Sequence, residues 1–291
     1  MIYTIQNQQL AVAVDTLGAQ LMSIRRDGCE YLWQGDPAYW SERAPVLFPV
    51  IGRLEGQQYM LDGQRYPMPI HGFARQMDFA LERHTADALV LSLRSAPETR
   101  AVYPFDFVLE ITYRLLDSVL SVASRVTNSS AGPMHFALGG HPGFRVPLER
   151  GETFADYYLE FDREASPERI GFTADTVLVS GERSPYPLAD GKYIPLRHDL
   201  FDSDAVILRG MAPGLALKSR RSRRSVTLSC PDAAFLGLWH SPHTEAPFLC
   251  LEPWTSLPGR SGVTEDIARR EDFIHLAAGA VYENCWTAAI G

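Results

Sequence analysis

Most of the signals that would place this 291-residue chain quickly are missing from it. Its four cysteines, Cys29, Cys230, Cys250 and Cys285, lie far apart with no C-x-x-C pair. That excludes a disulfide framework or a compact cysteine zinc site and leaves buried thiols as the expectation. No G-x-S-x-G, Walker-type glycine loop or G-x-G-x-x-G occurs, so serine hydrolase, P-loop and dinucleotide readings have nothing to rest on. There is no run of eighteen apolar residues and no basic-then-apolar start, which points away from membrane spanning and export and toward a reducing cytoplasm. Positive charge is short as well: 27 Lys and Arg stand against 35 Asp and Glu, a formal charge of −8. Such a chain has no general attraction to nucleic acid or to an anionic membrane. Helical periodicity is nearly absent.

What is present is period-two alternation rich in β-branched and aromatic residues. "LAVAVDT", "FALERH", "LVLSLR", "FVLEITYRL", "VLSVASRVTN", "YYLEFD" and "SVTLSC" all read as strands half buried on one face. Asp27-Gly28 and Asp62-Gly63 each lie between strand-like runs and predict tight hairpins. Short helical turns are expected at "PAYWSER" and "PETRAVYP", and long connections with short hairpins over 162–200. A hydrophobic share of 46% supports a packed core. No linker breaks the chain, so one domain over residues 1–291 is expected, an all-β, large antiparallel sandwich with few short helices.

Two histidines share a local pattern, each beside glycine at the end of an apolar run: His71 in "PIHGFAR" and His141 in "MHFALGGHPGFR". A third feature is "FLCLEPWTSLPG", where Glu252 interrupts apolar residues and would be costly to bury without a partner. Each has a plainer reading, a solvent-facing strand carboxylate or a hydrogen-bonded structural histidine. Taken together, a glutamate and histidines on separate strands make a general base and general acid, and a nearby carboxylate is expected to keep the imidazole protonated. A glycosidase would want a second carboxylate instead. "WHSPHTE" offers His240, His243 and Glu245, but its proline argues against a helix that would converge two imidazoles on a metal, so a polar loop is the plainer reading. "KSRRSRRS" at 218–225 reads as a solvated hairpin turn, with phosphate or nucleic-acid contact as the alternative. Phe73, Phe144, Trp239 and Trp254 are candidate flat faces for a sugar ring, or simply core residues.

In order along the chain, "RAPVLFPVIGRL", "IHGFAR", "YPFDFVLEITYRL", "GGHPGFRVPL", "HDLFDSDAVIL" and "CLEPW" resemble the aldose 1-epimerase family, the galactose mutarotases. The resemblance covers nearly the whole chain. It implies a β-sandwich of the galactose mutarotase type that binds a hexose in an open cleft and interconverts its α and β anomers without cofactor or metal. Carried onto matching positions, it makes Glu252 the general base at the C1 hydroxyl and His141 the general acid at the ring oxygen. His71 becomes a polarising group, and Arg53 and Asp204 become hydroxyl-binding residues. The context of the two histidines, Gly72-Phe73 and Pro142-Gly143-Phe144, is similar to the bacterial aldose 1-epimerase-like branch and also to hexose-6-phosphate 1-epimerases. A phosphorylated substrate would make Arg75, Arg145 and the 218–224 cluster candidate phosphate contacts.

The expectation is therefore a cytoplasmic isomerase, monomer or homodimer, whose partner is a small sugar, free or phosphorylated, and neither nucleic acid nor membrane. Trp254 and Arg75 join Arg53 and Asp204 as expected substrate-binding residues. The alternatives are a hexose-6-phosphate 1-epimerase and a non-catalytic carbohydrate-binding protein.

Overall fold

The computed structural model describes all 291 residues. Alternating sequence becomes antiparallel sheet throughout. The largest sheet has nine strands, with Val281–Ile290 in the middle and next to it the hairpin Phe107–Leu116 with Val119–Asn128, which Ala88–Arg94 borders on its other side. In Phe107–Leu116 every odd residue is buried, from Phe107 and Leu109 to Leu115, while the even ones are partly or fully exposed, the signature of a strand with one face on a core. The second large sheet runs, in spatial order, through Val179–Pro185, Glu168–Phe172, Val206–Arg209, Phe235–Trp239, Phe248–Trp254, Gly139–Gly140 and Val46–Leu47. Smaller sheets close the periphery, one of them built from the N-terminal strands Ile2–Gln6 to Cys29–Glu30. Apolar side chains from both large sheets merge into one core that extends from Ile5 to Ile290.

Both Asp-Gly hairpins form as expected, between Gln20–Arg26 and Cys29–Glu30 and between Gln58–Leu61 and Gln64–Pro67. "PETRAVYP" carries the α-helix Pro97–Val102. No helix is long and apolar enough to cross a membrane. Three expectations are corrected. "PAYWSER" holds only a turn at 37–39, tied to the backbone and side chain of Asp36, because the chain then leaves toward the second sheet. Ala80–His84 is exposed along its whole length rather than on one face, since it is the last strand of its sheet. Of the four free cysteines, Cys230 and Cys250 are buried but Cys29 and Cys285 are only partly so.

Phe248–Trp254 is buried at every position, so both of its faces are covered. Leu249 and Leu251 belong to the main core, whereas Phe248 and Cys250 join a separate cluster with Trp33 and Ala246. Alternation therefore puts Glu252 on the face away from the main core, opposite Gly237 of the neighbouring strand.

Candidate active site

The ladder itself brings together His141 and Glu252, the pair expected to act as acid and base. Gly139 pairs with Trp254 and Gly143 with Cys250, so the intervening His141 lies across from Glu252 where the ladder is interrupted. His141 Nε2 stands 3.2 Å from Glu252 Oε2. Their exposures are 8% and 1%, yet Glu252 Oε2 and His141 Nδ1 have no hydrogen-bond partner. Burial, helped by the nearby Asp204 carboxylate, holds the Glu252 carboxyl well above its usual range. Burial likewise pulls His141 down to about 3, and Arg75 pushes in the same direction. The expectation that the carboxylate keeps this imidazole protonated is thus reversed. Desolvation disfavours the charged form of each member, which favours a neutral pair sharing one proton.

His71 reaches the same place from a different segment. Its backbone is left-handed, with φ of 64°, and its Nδ1 accepts the Gly52 amide N–H at 3.1 Å while its own N–H donates to the Gly52 carbonyl at 2.9 Å. The acceptor role of Nδ1 assigns the proton to Nε2, leaving a neutral N–H donor available to the cavity. Burial, then the neighbouring His141 and two arginines, keep His71 well below the usual histidine value. Gly72 has φ of 74°, and a Cβ there would come within 2.1 Å of the Phe48 carbonyl oxygen, so the chain can turn beneath His71 only with glycine.

The three residues open on a cavity of about 270 Å³, a volume suited to one small ligand. Trp40 stacks on the His141 ring at 4.8 Å between centroids, and Trp239 meets the same ring edge-on at 5.7 Å. A Cβ on Gly143 would lie 3.0 Å from the Trp40 indole, so this glycine makes room for the stack. Trp254 lines the cavity with an unpartnered indole N–H. Arg53 and Asp204 stand at the wall. Asp204, left-handed at φ 70°, has its carboxyl raised by burial, partly offset by the Ala205 amide and Arg53. Arg75 also lines the cavity and forms an ion pair with Glu42.

The aldose 1-epimerase family profile matches residues 1–266. The chain belongs to the aldose 1-epimerase family. It is 35% identical over 266 residues to the plasmid-encoded protein LacX of Lactococcus lactis subsp. lactis, covering 88% of each chain. A solved galactose mutarotase related enzyme from Lactobacillus acidophilus superposes with a TM-score of 0.95 at 32% identity, covering 100% of this chain and 97% of that one. A galactose mutarotase-like protein from Lactobacillus casei ATCC 334 superposes at 0.94 with 34% identity, each chain fully covered.

In this epimerase-family chain, Glu252, His141, His71, Arg53, Asp204, Arg75 and Trp254 all meet at one cavity, as does Trp239. Other candidates lie elsewhere. Phe73 and Phe144 pack in the main core. Arg145 sits exposed at the end of the strand Gly143–Arg145. The basic turn joins Gly214–Ser219 to Ser225–Ser229 and is engaged in surface pairs, among them Lys218 with Glu160, Arg221 with Asp156 and Arg224 with Glu149.

His240, His243 and Glu245 do not converge: His240 is buried against His198 at 3.1 Å, while His243 and Glu245 are exposed. Another set, His141, Cys250 and Glu252, brings ligand atoms within 4.8 Å of one another. Cys250, however, is sealed in an apolar cluster with its thiol pushed well up by burial, a poor setting for a thiolate ligand. A larger groove of about 720 Å³ lies beyond Pro258, but it contains no histidine, and its buried charges answer one another, Arg270 with Glu265 and with Asp272, each at 2.7 Å.

Trp40, Glu42, Phe172 and Val177 were missed from sequence. The signal available for the first two was a tryptophan and a glutamate inside the short non-strand segment "PAYWSER"; Phe172 and Val177 have none.

Proposed function

We propose that this protein is a cofactor-independent aldose 1-epimerase that interconverts the α and β anomers of a hexose by opening and reclosing the pyranose ring. The observation carrying this reading is the Glu252–His141 contact of 3.2 Å, facing a cavity with the carboxyl Oε2 and the imidazole Nδ1 unpartnered. Buried polar atoms are left open where a ligand supplies the missing partner.

Opening a hemiacetal requires one proton taken and one given. The single proton of the pair crosses from Glu252 to His141 as a hydroxyl-rich substrate replaces the dry surroundings, leaving carboxylate and imidazolium. Glu252 then takes the C1 hydroxyl proton, the C1–O5 bond breaks as C1=O forms, and His141 protonates O5. Rotation about C1–C2 presents the other carbonyl face, and the same transfers in reverse close the ring. His71 donates its Nε2–H toward the C1 and ring oxygens, where negative charge develops. Arg53 and Asp204 hold ring hydroxyls, and Trp40, Trp239 and Trp254 provide the flat apolar walls.

The test is NMR exchange spectroscopy of glucose, galactose and glucose 6-phosphate with catalytic amounts of protein. Acceleration is expected for at least one sugar, falling about a hundredfold or more in Glu252→Gln and in His141→Asn. Exchange that both variants leave untouched would sink the acid–base assignment. Saturable sugar binding without any acceleration would favour a carbohydrate-binding role.

A further inference from the structure

The second open reading of the sequence, a phosphorylated substrate, turns on where the cations are. Of the arginines offered for a phosphate, Arg75 alone lines the cavity, where Arg53 stands with it. Arg75 is the more enclosed of the two, with 15% of its side chain exposed, and its Nη1 is bound by the Glu42 carboxylate, itself 30% exposed. Glu42 makes no other side-chain hydrogen bond or ion pair in the structure, and it lies two residues from the Trp40 ring that covers His141. Arg53, Asp204 and Glu252 line the same cavity, Arg53 lowering the Asp204 carboxyl and Asp204 raising that of Glu252. Two guanidinium groups in the cavity thus meet three carboxyl groups, from Glu42, Asp204 and Glu252.

Resting on the epimerase reading, we propose that Glu42 is the specificity-determining residue that makes this site select uncharged aldoses over aldose phosphates. A phosphate dianion approaching Arg75 would bring its charge against the Glu42 carboxylate in a partly desolvated pocket, where like charges repel strongly. A sugar hydroxyl meets no such penalty: it accepts from the guanidinium, whose Nε is buried without a partner, and donates to the carboxylate. Selectivity against the charged substrate thus comes from a carboxylate that touches none of the reacting atoms.

The experiment measures kcat/KM for glucose and for glucose 6-phosphate by exchange spectroscopy, with calorimetric affinities for both, in the natural protein and in Glu42→Gln. The natural protein should favour glucose. In Glu42→Gln the ratio of glucose to glucose 6-phosphate kcat/KM should fall tenfold or more, the phosphate affinity should rise, and added salt should weaken that gain. Adding Arg75→Gln to the variant should abolish the gain, which a general loosening of the loop would not do. Glu42→Ala provides the same reading should the glutamine variant melt early. A natural protein that prefers glucose 6-phosphate, or a ratio unmoved by either substitution, overturns the proposal. If no sugar is turned over, the epimerase reading has failed, and the calorimetric affinities still decide the role of Glu42 by whether its neutralisation improves phosphate binding.

Discussion

Buried histidines occur in three places in this protein, and they are not alike. Away from the cavity each buried ring has a less buried histidine beside it: His198 Nδ1 lies 3.1 Å from His240 Nε2, and His135 Nδ1 lies 2.6 Å from His275 Nδ1. Each pair is anchored to backbone, His240 Nδ1 to the Ser241 carbonyl and His275 Nε2 to the Arg270 carbonyl, both at 2.9 Å. One ring donates and the other accepts, so His240 and His275 have both ring nitrogens engaged. At the cavity, His141 faces a carboxyl instead of a second imidazole and keeps Nδ1 unpartnered. Burial alone does not separate the two kinds, since His240 is more buried than His141. What separates His240 from His141 is whether both ring nitrogens already have partners.

The largest effect that would break this comparison is on stability. His240→Ala removes a fully buried ring and strands His198, and should cost about 2–4 kcal/mol in urea unfolding while leaving kcat/KM per folded molecule unchanged. A kinetic effect as large as the stability effect would mean the pair belongs to the site.

Next in size is the response to pH, where the paired histidines and the cavity carboxyl Glu252 differ in sign. Burial lowers His240 to about 4 and also lowers His198 and His135. As pH falls below 6.5 the unfolded chain takes up protons first, so stability present at neutral pH is lost toward the folded values. His240 alone should account for about 1 kcal/mol between pH 7.5 and 5.5. Glu252 acts oppositely: its raised pKa gives stability below 4.5 that is lost as pH rises toward the folded value. Glu252→Gln should therefore raise the unfolding midpoint more at pH 8 than at pH 5, and an equal gain at both would mean the carboxyl is ionised in the fold. The smallest effect is that of Trp40→Phe, which keeps an aromatic over His141 but with less area. We expect kcat/KM to fall about three- to tenfold, about 1 kcal/mol, with little change in pH profile.

Much of the site was legible because its chemistry sits in unusual local sequence. A histidine beside glycine at the end of an apolar run and a glutamate inside an apolar strand contradict their surroundings, and both contradictions mark the cavity. The neighbours of these residues were harder to read. Phe73 and Phe144 follow the two histidines closely, yet the chain turns between and sends both rings into the main core. Trp40 and Glu42 arrive from a loop whose path is set by distant partners: the room left by Gly143, the ion pair with Arg75, and the Arg43 amide held by Gln20. No short-range pattern encodes such contacts. The strands were readable wherever one face meets the core, and misread at Ala80–His84, where an edge position leaves nothing to bury. The protonation of the acid–base pair was also misjudged, because sequence shows that two charges can meet but not how dry the meeting place is.

The loop at 37–43 has a consequence for how this protein could change. Glu252 is fixed within a strand buried at every position and His141 by the ladder on either side of it, so alteration there endangers the core as well as the reaction. Trp40 and Glu42 ride on a segment that belongs to neither large sheet. Loops of that kind tolerate replacement, so substrate preference can drift, or be re-engineered, while the proposed proton-transfer apparatus is inherited intact.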